Sequence, residues 1–139
     1  MSEVADQLIE AYRSTHFRVL EPVGFVLRIG EFNKTLAQLF TDQGVSSAAF
    51  LTAWNPFSRV TEAIDNEKAN QELKRVLHDD RICFFDGIGE DPMGLWPGEP
   101  SLLALGLPHE KAISIGKKFS QNAIVWIGSD AIPQLEVLR

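Results

Sequence analysis

A chain of 139 residues with a formal net charge of −6 has the size of one domain, here residues 1–139. Its basic residues are scattered through the sequence, and neutralising a nucleic-acid backbone needs them clustered, so nucleic acid is an unlikely partner. Hydrophobic residues make up 45% and charged residues 23%, the balance of a soluble globular protein that buries a core without a metal or disulfide.

The single cysteine, Cys83, has no partner for an internal disulfide, which fits a reducing compartment. No apolar run approaches the roughly 20 residues of a membrane span. The acidic start, Met1-Ser2-Glu3-Val4-Ala5-Asp6, lacks the basic-then-apolar order of a signal peptide. The expectation is a cytoplasmic protein with no membrane partner.

Along the chain, Glu3 to Arg13 reads as a helix with a stripe of Val4, Leu8, Ala11 and Tyr12, weakly capped by Ser2. Phe17–Leu20 and Gly24–Ile29 read as two strands of a hairpin, with Phe25, Leu27 and Ile29 on one face. Asn33 is a good cap for a helix over Lys34–Thr41 that turns Leu36, Leu39 and Phe40 inward and stops at Gly44.

The seven uncharged residues Ala48–Trp54 suit a strand covered on both faces. Asn55-Pro56 ends it, because proline has no N–H for a sheet ladder and holds its predecessor extended. Asp65 is placed to cap a helix running to about His78, with Leu73, Val76 and Leu77 as its core stripe. Arg81–Phe85 reads as a strand in which Cys83 is a buried small hydrophobe. With four glycines and three prolines, Asp86–Pro100 reads as one long loop. Ser101–Gly106 is a strand, His109–Phe119 a helix with Pro108 at its start, and Asn122–Ile127 another strand. Ile132–Leu138 is a final strand or helix interrupted by Pro133. Strands and single helices in this order predict an α+β domain whose mixed, largely antiparallel sheet carries about four helices.

Site candidates gather where the central strand surfaces. Thr52, Asn55 and Ser58 lie at its polar exit. Asn66 and Asn70, four apart, share a helix face with Leu73 and Leu77. Their amides read a ligand's hydrogen-bonding edges or tie down the backbone of the preceding loop. Glu99, fixed between Gly98 and Pro100, is the one candidate general base; it reads equally as a ligand for a cation, an anchor for an amine, or a solvated loop residue paired with an arginine. Gln121 either joins the site or caps the helix before it. Trp96 is a candidate lid, whereas Trp54 and Trp126 read as core. His16, His78 and His109 fall in separate elements without paired spacing, so no metal site is predicted, and no cofactor motif is present. Asp86–Asp91 has the spacing of neither a calcium loop nor a phosphate loop.

Ala11-Tyr12-Arg13, Leu51-Thr52-Ala53-Trp54-Asn55-Pro56, Asn66 with Asn70, Gly98-Glu99-Pro100-Ser101 and Phe119-Ser120-Gln121-Asn122-Ala123-Ile124-Val125-Trp126 together resemble a family of small bacterial proteins, domain of unknown function 3293. The resemblance implies a bacterial, soluble, stand-alone domain and supplies no activity.

Two functional readings follow from the residues. The first is a pocket for a small polar ligand, a nucleotide or an amino-acid derivative, lined by Thr52, Asn55, Ser58, Asn66, Asn70, Glu99 and Gln121. These residues are rich in amides and hydroxyls and poor in nucleophiles, which favours recognition over covalent chemistry. The second is a protein-interaction or regulatory module that uses Met93, Leu95 and Trp96 of the 86–100 loop as an apolar anchor for a protein partner.

Overall fold

The computed structural model describes residues 4–21 and 23–139. Helix α1 (Asp6–Ser14) starts after an extended Ala5 that offers no side-chain cap; the cap expected at Ser2 lies outside the described residues. Strands β1 (His16–Val19) and β2 (Phe25–Leu27) form the expected hairpin, with Phe17 opposite Leu27. Asn33 caps α2 (Lys34–Gln43): its Oδ1 accepts from the Leu36 N–H at 2.9 Å. Gly44, at φ 66°, ends that helix in the left-handed region.

Next come β3 (Ala48–Leu51), α3 (Ala63–Asp79), β4 (Phe84–Glu90), β5 (Glu99–Leu105), α4 (His109–Lys118), β6 (Ala123–Ile127) and β7 (Pro133–Val137). The strands lie in the order β2-β1-β4-β5-β3-β6-β7. Every pairing is antiparallel, so the sheet expected to be largely antiparallel is antiparallel throughout. With four α-helices it makes an α+β domain. Pro133 opens the edge strand β7, where its missing N–H breaks no ladder.

The sheet curls. Strand spacings of about 4.8 Å would put the edges of a flat seven-stranded sheet roughly 29 Å apart. Instead the segment after β2 reaches the start of β7 and the residues just before it: Gly30 N–H donates to Pro133 O at 2.8 Å, and Asn33 N–H to Ala131 O at 3.0 Å. Alternation along each strand then builds two cores. Ala48 and Phe50, Leu103 and Leu105, and Val125 and Ile127 face the concave side with Leu36, Leu39 and Phe40 of α2. Ala49 and Leu51, Leu102 and Ala104, and Ile124 face the convex side under Leu73 and Leu77 of α3 and Ala112 and Ile115 of α4.

Three boundaries differ from expectation, each for a tertiary reason. Strand β3 stops at Leu51 rather than Trp54, because the next N–H groups bond side chains instead of a neighbouring strand. Helix α3 starts after Glu62, which leaves Asp65 inside its first turn. The stretch 86–100 is not one loop: β4 runs to Glu90 and β5 starts at Glu99, leaving a hairpin connection over 91–98.

Gly87 sits within β4 because a Cβ there would lie 2.8 Å from the Arg18 carbonyl oxygen and 2.8 Å from the Phe50 ring. The glycine marks a close approach of chain and ring rather than a turn. Cys83 precedes β4 and is exposed rather than buried.

Candidate functional site

The polar exit of β3 is built from side chains that replace a missing strand partner. Ala53 N–H donates to Asn70 Oδ1 at 2.8 Å, Trp54 N–H to Thr52 Oγ1 at 3.0 Å, and Asn55 N–H to Asn66 Oδ1 at 2.8 Å. Three residues of the turn that follows hold positive φ: Asn55 at 47°, Phe57 at 54° and Ser58 at 60°. A non-glycine residue in that region costs of order 1 kcal/mol, so the surroundings must hold it there. Phe57 N–H donates to Ser120 O at 2.7 Å, and Asn55 Oδ1 accepts from Asn66 Nδ2 at 2.9 Å and from Thr61 N–H at 3.1 Å.

With its oxygen committed on that side, the Asn55 amide presents Nδ2 to Glu99 Oε1 at 3.1 Å. Nothing among the described residues donates to the other Glu99 oxygen. Burial pushes the Glu99 carboxyl above its usual range, and the bond from Asn55 offsets part of that.

Across the site, Tyr12 Oη and Ser58 Oγ share a hydrogen bond of 2.9 Å, and Asn122 Nδ2 donates to Ser58 Oγ at 3.0 Å. Arg139 Nη1 donates to Asn122 Oδ1 at 3.1 Å, and its guanidinium lies 4.0 Å from the centre of the Phe57 ring. Burial raises the Tyr12 phenol pKa. The hydrogen bonds with Ser58 and Asn122 oppose the rise, and the nearby Glu99 charge adds to it. Tyr12 thus stays a neutral hydroxyl.

Between these two clusters, α1 and the concave face of the sheet, lies a cavity of about 500 Å³, within the range of small-molecule sites. Its floor and walls are apolar, with Phe17, Phe50, Val125 and Leu135 below and Leu8 and Ala11 of α1 above. Thr52, Asn55, Ser58, Asn66, Glu99 and Gln121, all singled out in the sequence, line it together.

Asn70 does not. It faces a groove on the convex side with Lys74 and Asp86; its Oδ1 holds Ala53 and its Nδ2 donates to Pro100 O at 3.0 Å. Gln121 is buried and donates Nε2 to Trp54 O at 3.3 Å and to Phe119 O at 3.2 Å, so it also ties off the end of α4. Trp96 borders the cavity from the hairpin connection, as a lid residue would.

Tyr12 was missed as a site residue. Its helical spacing with Leu8 and Ala11 reads as a core stripe, and only the fold shows that the stripe faces a cavity. None of the α1 residues is buried.

The arrangement is rich in fixed hydrogen-bonding groups and holds no activated nucleophile. Ser58 Oγ is held by Tyr12 and Asn122, and among the described residues no histidine or lysine lines the cavity to take its proton. Glu99 can accept a proton and Tyr12 can donate one. Among the described residues, no three His, Cys, Asp or Glu side chains are grouped so as to hold a metal ion, and no helix is long and apolar enough to cross a membrane.

Fold and site define an antiparallel α+β domain with a ligand-sized cavity between one helix and the concave face of its sheet. Residues 51–124, a little more than half of the chain, match the family described as protein of unknown function (DUF3293), and the chain belongs to that family. The matched span holds Thr52, Asn55, Ser58, Asn66, Asn70, Glu99 and Gln121, whereas Tyr12 falls before it. No curated protein and no solved structure matches the chain.

Proposed function

We propose that this domain binds a small ligand in the cavity beneath α1. The observation that carries the reading is the convergence of Thr52, Asn55, Ser58, Asn66, Glu99 and Gln121, from four separate parts of the chain, on one space of about 500 Å³ with an apolar floor. Such a space takes a molecule with one hydrogen-bonding end and one apolar end, and amino-acid derivatives and nucleotides are of suitable size.

A thermal-shift panel of nucleotides, nucleosides, amino acids and their amines tests it. A ligand at a hundredfold excess over its Kd stabilises the native state by roughly 2.7 kcal/mol. Ala11→Phe, which fills the cavity from α1, is expected to abolish the shift. A hit whose shift survives Ala11→Phe places binding elsewhere and removes the reading.

A second reading, a protein-interaction module, has its own observation. Met93 is 77% exposed and Leu95 82% exposed. The connection that carries them is held by Asp91, which accepts from Met93 N–H at 3.0 Å and Leu95 N–H at 2.8 Å. Two apolar side chains presented on a fixed turn suit a partner's groove. If this reading is right, a double change of Met93 and Leu95 to serine abolishes partner capture and leaves ligand-induced shifts intact.

A further inference from the structure

We infer that the ligand's polar end is a protonated amine on an apolar or aromatic body, without a phosphate or free carboxylate. The inference rests on the cavity reading above and names its ligand class.

The first support is charge. Among the described residues lining the cavity, Glu99 is the only one that carries a charge, and none is Lys, Arg or His. An anionic group would enter with no cation to meet it, against a carboxylate of the same sign, and such like-charge placement is strongly disfavoured. Arg139 does not line the cavity; its guanidinium is engaged with Asn122 and Phe57.

The second support is the balance of donors and acceptors left over. Most of the site's amide and hydroxyl donors are spent inward: one Asn55 Nδ2 hydrogen on Glu99, both Asn66 Nδ2 bonds on Asn55 and Thr61, Gln121 Nε2 on backbone carbonyls, Thr52 Oγ1 on Pro100 O, and Tyr12 and Ser58 on each other. The second oxygen of Glu99 and the side-chain oxygen of Gln121 receive no hydrogen bond from any described residue. A site with acceptors to spare calls for a ligand that donates, and an ammonium group donates three times.

The third support is the aromatic wall. Trp54, Trp96, Tyr12, Phe17 and Phe50 all border the same space. Ring faces attract a cation and stack on an aromatic body. A lone carboxylate in a space bordered by aromatic rings is the chemistry that selects amines over alcohols of the same shape.

The test uses three probes of one shape: 2-phenylethylamine, 2-phenylethanol and phenylacetate. Each is titrated into the ¹⁵N-labelled full chain near neutral pH and followed by amide shifts at α1, Thr52, Gly98, Glu99 and Ser101. The amine is expected to bind about tenfold or more tightly than the alcohol, the preference that a charge-assisted hydrogen bond supplies. Phenylacetate is expected to bind more weakly than either.

Glu99→Gln, which keeps an oxygen for Asn55 Nδ2, is expected to abolish the preference while leaving the alcohol's Kd in place. The comparison in the wild type alone decides the matter should that variant fold poorly. If the alcohol binds as tightly as the amine, or phenylacetate binds best, the amine inference is overturned and the cavity reading stands. If none of the three moves those resonances, both fall.

Discussion

The two ends of the curled sheet are closed by helices of similar pattern and opposite consequence. At one end α2 drives Leu36, Leu39 and Phe40 into the concave core, where all three are buried. At the other, α1 carries an equally plain stripe of Leu8, Ala11 and Tyr12, yet buries none of its residues, because the sheet beneath it ends in a cavity. An amphipathic stripe therefore reports that a helix faces inward, and not that it faces packed atoms. Where packing is left unfinished over polar groups held in fixed positions, the free volume is available to a ligand.

The contrast is broken or sharpened by five substitutions. The largest effect belongs to the packed end. Leu36→Ala is expected to destabilise by about 2–5 kcal/mol, since it opens a hole in close-packed surroundings, whereas Leu8→Ala over the cavity is expected to cost well under about 1 kcal/mol. Urea unfolding of both variants measures the difference; equal losses would mean that α1 is packed in solution.

Asn70→Ala comes next. It leaves the Ala53 N–H without its partner and takes one of two hydrogen bonds from the Pro100 carbonyl, which keeps the bond from Thr52 Oγ1, and an unsatisfied buried polar group costs about 1–3 kcal/mol. Because Asn70 faces away from the cavity, its variant should lose stability while keeping ligand Kd at temperatures where it is folded. A variant of native stability that cannot bind would contradict this structural role.

Gly87→Ala probes the wall between core and cavity. The added Cβ meets the Arg18 carbonyl oxygen and the Phe50 ring, and overpacking of that kind costs about 1–3 kcal/mol. Denaturation should register the loss, and the Phe50 ring, which sits edge-on to Phe17 at 5.3 Å, should show altered ring-proton shifts. An unchanged spectrum and stability would show that the wall is looser than its geometry indicates.

The smallest effect has the opposite sign. Burial raises the Glu99 pKa in the folded protein. Below the unfolded pKa, about 4.3 for a glutamate, both states hold the proton and nothing is lost. As pH rises past it the unfolded chain ionises first, so the folded state loses stability until its own raised pKa is passed. Glu99→Gln removes that loss. Its Tm is expected to exceed that of the wild type by a few degrees or less at neutral pH, with the gain vanishing on acidification below about pH 4. A variant that is more stable but cannot bind an amine is the pattern of a residue kept for function at a cost in stability; a Tm that falls at neutral pH would instead make the Glu99 charge part of the scaffold.

Much of the scaffold was legible because its signals are local. The Asn33 cap and the Gly44 stop bound α2 from within a dozen residues. The alternation of Phe25, Leu27 and Ile29 gave a face that does pack on the concave core. The hairpin over 84–105 was not legible, because Gly87, one of the glycines that spell a loop in sequence, serves there to admit Phe50, a residue nearly forty positions earlier. The end of β3 was hidden for a similar reason: whether an extended chain still has a strand beside it depends on where Asn66 and Asn70 of α3 fall.

By itself the sequence determined most of the element types, the two-sided burial of the strand that starts at Ala48 and the identity of the polar residues at its exit, since each follows from periodicity, capping and the chemistry of single side chains. Only the tertiary structure decided the rest. The curl that brings Gly30 to Pro133 sets α1 over an unfilled end, turns Tyr12 from a core residue into a site residue, and puts Asn70 on the opposite face from Glu99. Those outcomes depend on contacts between residues far apart in the chain, and no window of local sequence contains the distance between them.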